Sequence, residues 1–135
     1  MIKPANTLPE HIWDELSFDA DTCAGLKAVT RAYFLIYLPS DLDVPAAVMG
    51  IMPRDLFPPE AYVWFRQMPW ARPKLAELRR VIREGQKLIN VLPHYYFGVY
   101  AEIEPDDSVA RKFAEAFGFY ELGPHHGRII MQLEE

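Results

Sequence analysis

The chain has 135 residues, 50% of them hydrophobic and 24% charged, with a formal net charge of −5. That length and apolar content suit one folded domain spanning 1–135 and argue against a disordered chain. One cysteine, Cys23, rules out an intrachain disulfide, and the acidic balance argues against a general nucleic-acid partner.

In chain order, Met1 to Ala5 reads as a short edge strand, because Pro4 is tolerated in a sheet only at an edge or an end. Thr7-Leu8-Pro9-Glu10 has the spacing of a capping box, and His11 to Leu16 supplies the apolar stripe of a first helix. A second short helix is expected from Asp21 to Ala28, weakened by Gly25. Tyr33 to Leu38 and Val44 to Met52 read as strands, the latter made irregular by Pro45 and Gly50; Arg54 to Glu60 reads as a loop; Tyr62 to Gln67 is a third strong strand. The longest helix is expected over Ala71 to Ile89, with Pro73 in its first turn and Leu75, Leu78, Val81, Ile82, Leu88 and Ile89 as its buried stripe.

The last third is the most patterned part. Tyr95 to Ala101 is an almost unbroken apolar run and reads as a central strand covered on both faces, which makes Tyr96 and Tyr100 core aromatics. Asp107 precedes Ser108 to Phe117, a segment with Val109, Ala110, Phe113, Ala116 and Phe117 on one helical face. Gly118 stops it, Phe119-Tyr120-Glu121 opens another strand, Gly123 to Gly127 is turn chemistry, and Ile129, Met131 and Leu133 alternate along a final strand. No apolar run approaches a membrane span, so a cytoplasmic or virion-contained protein is the expectation.

Charge is unevenly placed. Between Arg66 and Lys87 lie seven of the fourteen basic residues against Glu77 and Glu84, so this segment carries +5 and the remainder −10. Such a segment is either the solvated face of an amphipathic helix or an anion-binding one. His125-His126 does not make a metal site, since adjacent side chains of an extended segment point opposite ways and the other histidines belong to other elements.

The order strand, two helices, three strands, long helix, strand, helix, strand pair resembles the GNAT N-acetyltransferase superfamily over the whole chain. Met1-Ile2-Lys3-Pro4-Ala5 is similar to that family's opening strand, and Asp107 to Phe119 resembles its penultimate helix, which ends in Gly-Phe. The resemblance implies an α/β (α+β) GNAT-like acyl-CoA N-acyltransferase fold: a mixed, mainly antiparallel sheet, flanked by helices, with splayed central strands at Tyr62–Gln67 and Tyr95–Ala101. It implies acetyl-CoA as the candidate donor and acyl transfer to an amine as the candidate reaction.

The family's functional residues transfer poorly. Its glycine-rich pyrophosphate loop corresponds to Met68-Pro69-Trp70-Ala71-Arg72-Pro73-Lys74, which has no glycine and two residues without an N–H. Arg66, Arg72 and Lys74 are the side chains that could hold phosphates instead. The family's acidic tyrosine aligns with Ala114 and its asparagine with Asp107; Glu60 and Glu102 are the carboxylates nearest a general base. These departures resemble a divergent GNAT-like subgroup of tailed bacteriophages, one member of which is associated with the virion interior. The resemblance therefore also implies an alternative: a non-catalytic phage or prophage protein that contacts virion or host proteins. An unrelated α/β binding domain is the third reading.

Overall fold

The computed structural model describes residues 1–54 and 57–133. Seven strands form one sheet in the order β1-β2-β3-β4-β5-β7-β6. They are β1 (Ile2–Ala5), β2 (Ala32–Ile36), β3 (Ala47–Arg54), β4 (Glu60–Gln67), β5 (Gly98–Ile103), β6 (Phe119–His125) and β7 (Arg128–Leu133), joined with helices α1 (Glu10–Leu16), α2 (Ala20–Val29), α3 (Leu75–Ile89) and α4 (Ser108–Ala116). All neighbouring strands run antiparallel except β4 and β5, which are parallel. The expected mixed, mainly antiparallel architecture is therefore the observed one. No helix among the described residues is long and apolar enough to cross a membrane.

Two apolar clusters hold the layers together. Alternation along β4 turns Ala61, Val63 and Phe65 toward one cluster, shared with Ile89 of α3, Ala110 and Ala114 of α4, and Phe117. Trp64 belongs to the other, with Trp13 and Leu16 of α1 and Tyr33 of β2. The Trp64 ring lies 5.8 Å from Trp13 and 5.6 Å from Phe18, and its Nε1 donates to the Thr30 hydroxyl at 3.1 Å. Gly50, opposite Trp64 on β3, makes room for it: a Cβ there would sit 2.1 Å from the indole.

Several sequence expectations shift in the fold. The capping box at Thr7 does not form; α1 starts at Glu10 with Pro9 as N-cap and no side-chain cap. α2 is instead capped by Asp19, whose carboxylate accepts from the Thr22 amide at 2.8 Å and is held below the usual carboxylate range by that bond. Arg54 and Glu60 are not loop residues but paired ends of β3 and β4; the rest of the expected loop includes residues 55 and 56, which lie outside the described residues. α3 begins at Leu75 rather than Ala71, because the Glu77 carboxylate accepts from the Lys74 amide at 3.2 Å and fixes Lys74 as N-cap, leaving Pro73 ahead of the helix. α4 matches its expected N-terminus: Asp107 accepts from the Ala110 amide at 3.0 Å. Gly118 after it has φ +96°, a conformation that favours glycine. Of the expected turn from Gly123 to Gly127, only His126 and Gly127 turn; Gly123 to His125 belong to β6, which is irregular between Glu121 and Gly123.

The largest shift is at the central strand. β5 begins at Gly98, and Tyr95 and Phe97 stand about 70% exposed ahead of it. A 3₁₀ turn at Leu92–His94 runs on through amides of Tyr95 and Tyr96 that both donate to the Leu92 carbonyl, so the aromatic run is used up before the ladder with β4 starts.

Candidate functional site

β4 and β5 pair from Glu60↔Gly98 to Val63↔Ala101 and no further. Beyond that vertex β5 continues with β7 alone, while β4 continues from Trp64 to Gln67 with β3 alone. The parallel pair is thus splayed, and the gap opens toward the 68–72 segment and the start of α4. On the α3/α4 side it forms a cavity of about 280 Å³ whose apolar wall includes Phe65, Met68, Phe113 and Phe117. On the α1/α2 side a second cavity, of about 480 Å³, is lined by Phe18, Asp19, Thr22, Glu102, Asp106 and Arg128 among others.

Arg66 and Asp107 line both cavities and divide them. The Arg66 guanidinium donates to the carbonyls of Leu16 (2.9 Å) and Ser17 (3.2 Å) at the end of α1, lies 4.6 Å from the centre of the Phe18 ring, and reaches the Asp107 carboxylate at 3.7 Å. Its donors are engaged in closing the C-terminus of α1 and bridging to α4. Ser17 itself takes a left-handed φ of 59° there. This bridging role had no signal in the sequence, because it joins residues about fifty apart.

Arg72 contributes to the lining of the smaller cavity, and Lys74, two residues on, is the N-cap of α3. One guanidinium nitrogen of Arg72 donates to the carbonyls of Pro69 and Ala71, both at 2.8 Å. The 68–74 backbone is a poor anion cradle. Pro69 and Pro73 have no N–H, and the amides of Met68, Ala71 and Lys74 already donate to Ala46, Met68 and Glu77 respectively. The Glu77 carboxylate also accepts from the Ser40 amide at 3.1 Å. These contacts from Ser40 and Lys74 hold its carboxyl below the usual range, so a negative charge stands where a helix start would otherwise attract phosphate. Among the described residues this segment offers a nucleotide pyrophosphate few backbone donors, whereas the apolar wall at Phe65 and Met68 suits an apolar arm.

The two candidate carboxylates lie on the same face of the sheet at different heights. Glu102 directly follows the vertex residue Ala101 and is paired with Arg128 at 3.2 Å, while Arg128 also reaches Glu104 at 3.0 Å. Glu60 is opposite Gly98, four residues back, which places it about 13 Å down the strand direction. Between them Tyr62 and Tyr100 stack with ring centroids 5.3 Å apart, and the Arg54 guanidinium lies 4.2 Å from the Tyr62 ring centre. Tyr100 is therefore a half-buried aromatic on the sheet face rather than a core one. Its hydroxyl lies over Gly98, where an added Cβ would come within 2.8 Å of it, so it points back toward Glu60 and away from the vertex. Burial, and for Tyr100 the Glu60 charge, push both phenols above their usual range. Ala114 is fully buried and offers no acid from α4. Among the described residues no group of three or more His, Cys, Asp or Glu side chains could hold a metal.

No protein-family model and no curated protein sequence matches the chain. Solved structures do match across almost its whole length. A Bacillus subtilis acetyltransferase in complex with CoA superposes with a TM-score of 0.67 at 8% identity, covering 99% of this chain and 97% of that one. An acetyltransferase from Agrobacterium tumefaciens gives 0.65 at 11% identity, covering 99% and 91%. The Campylobacter jejuni N-acetyltransferase PseH, in complex with acetyl coenzyme A, gives 0.55 at 14% identity, covering 100% and 99%. At these identities the likeness is one of fold, and the fold is that of the GNAT acetyltransferases.

Proposed function

We propose that this chain is a divergent N-acyltransferase that takes an acyl group from a pantetheine-type thioester, such as that of acetyl-CoA, and passes it to an amine. The observation that carries the reading is the splay of β4 from β5 with an apolar cavity on one side and a polar one on the other. The donor arm lies along β4 beside Phe65 and Met68, and the acceptor enters from the α1/α2 side, where Glu102 stands nearest the vertex. Glu102 accepts the proton released as the amine nitrogen bonds to the thioester carbon; the carbon–sulfur bond breaks and the thiolate leaves. Arg128 holds that carboxylate in place, and Glu60 is the more remote carboxylate of the same face. Arg72 and Lys74 lie where the distal part of the donor emerges, and Arg66 acts as the partition between the two chambers.

A titration of the purified protein with acetyl-CoA and with S-acetyl-pantetheine, followed by calorimetry and by melting temperature, tests this: binding raises the melting temperature by mass action, and no heat and no shift with either at millimolar concentration contradicts it. Glu102→Gln should leave that binding intact while lowering thiol release with an accepting amine by about 10²-fold or more. The lack of a tyrosine on α4 and of a glycine loop favours a second reading, a phage or host-interaction protein that keeps the fold without catalysis; an inert protein that binds no thioester is its signature.

A further inference from the structure

The smaller cavity fits the arm of a thioester donor, yet the segment at its mouth is ill-suited to the nucleotide diphosphate that would follow that arm in CoA. α3, which begins three residues after the lining residue Arg72, exposes a basic face. Arg79, Arg83 and Lys87 recur every four residues along α3, opposite its buried Val81, Gly85 and Ile89, and so form one exposed ridge rising about 6 Å per step. The two acids of the segment are already engaged, Glu77 with the Ser40 and Lys74 amides and Glu84 with Arg80 at 3.5 Å. Among the described residues no ion pair involves Arg79, Arg83 or Lys87. Val109 of α4, which lines that cavity, is 43% exposed, and Trp70 (43%), between the lining residues Pro69 and Arg72, and Leu75 (64%), at the start of α3, add exposed apolar surface.

We infer that the donor arm is delivered by an acidic carrier protein, which seats its negative surface on the α3 ridge and its apolar contact on Trp70, Leu75 and Val109 while the arm enters between β4 and α4. This deepens the acyl-transfer reading and rests on it. Positive charge on α3 replaces the missing phosphate cradle by recognising the carrier instead of the nucleotide, and it speeds encounter between partners of opposite charge.

The test compares three donors by calorimetry on the full chain: an acyl carrier protein bearing an acetylated phosphopantetheine arm, acetyl-CoA, and S-acetyl-pantetheine. The expected result is that the loaded carrier binds at least about tenfold more tightly than either small thioester, with an affinity that falls as salt is added. Reversing Arg79, Arg83 and Lys87 to Glu should bring carrier binding down to the level of S-acetyl-pantetheine and leave S-acetyl-pantetheine unchanged; the Gln series at the same exposed positions should fall between. Acetyl-CoA binding as tightly as the carrier, with Arg72→Ala and Lys74→Ala abolishing it, would overturn the inference and keep acyl transfer. Carrier binding indifferent to the reversed ridge would overturn it too. If none of the three thioesters binds, the acyl-transfer reading fails first and this inference with it.

Discussion

From Glu60 to Val63, β4 is bonded on both edges, to β3 and to β5; from Trp64 to Gln67 it keeps β3 and leaves β5 behind. The side chains follow the change. In the paired half Ala61 and Val63 are fully buried, and Tyr62 packs flat on Tyr100 across the parallel pair. In the splayed half each side chain is braced by something other than β5: Trp64 by α1 and Gly50, Phe65 by Phe117, Arg66 by the end of α1 and by Asp107. A strand can be parted from its neighbour, and hold a cavity open, only if helices supply the contacts the neighbour no longer makes.

The brace at Trp64 should be the hardest to remove. Trp64→Ala empties the centre of the second cluster and strands the Thr30 hydroxyl, and is expected to cost about 3–5 kcal/mol in urea unfolding. Gly50→Ala attacks the same contact from β3; a methyl 2.1 Å from the indole forces the ring or the strand to shift, for about 1–3 kcal/mol. Either loss being below about 0.5 kcal/mol would mean that the splayed half does not depend on this contact.

The brace at Arg66 is half-exposed, and its expected contribution is smaller. Arg66→Ala should cost about 1 kcal/mol, mainly through the unpaired carbonyls of Leu16 and Ser17. Asp107→Asn removes the charge opposite Arg66 but keeps an acceptor for the Ala110 amide, so its stability loss should stay within about 0.5 kcal/mol. The two variants separate the carbonyl contacts from the ion pair, and equal losses would show that the ion pair, not the carbonyl contacts, holds the partition.

Glu77 gives the smallest effect and a pH signature. Its carboxyl is held below its ordinary value, so the anion's contacts to Ser40 and Lys74 add stability that is fully present above the unfolded value, near 4.5, and is lost as pH falls through the lower folded value. Melting temperatures of the wild type and Glu77→Gln should differ by a constant amount above about pH 5 and converge in acid. A gap that widens in acid would contradict the assignment of this carboxylate to the start of α3.

Much of the architecture was legible in the sequence because its signals are local. The Asp107 cap, the Gly118 stop and the order of strands and helices need only nearest neighbours along the chain. What sequence could not supply are features set by pairing register. Tyr95 and Phe97 read as buried strand until the register of β5 with β4 places them outside the ladder, and Glu60 reads as loop until Arg54 pairs with it. At the candidate site the missing glycines and the aligned Ala114 were visible. The long-range partners that decide Arg66 and Glu102, namely Leu16, Asp107 and Arg128, were not.

The most direct test of the central claim, that the gap between β4 and β5 receives a thioester arm, is a nitrogen-edited NMR titration of the labelled chain with acetyl-CoA and S-acetyl-pantetheine. The account predicts amide shifts concentrated in Phe65 to Arg72 and Asp107 to Phe113, common to both ligands, with little change along α1. Shifts scattered over the surface, or none at millimolar ligand, would contradict it.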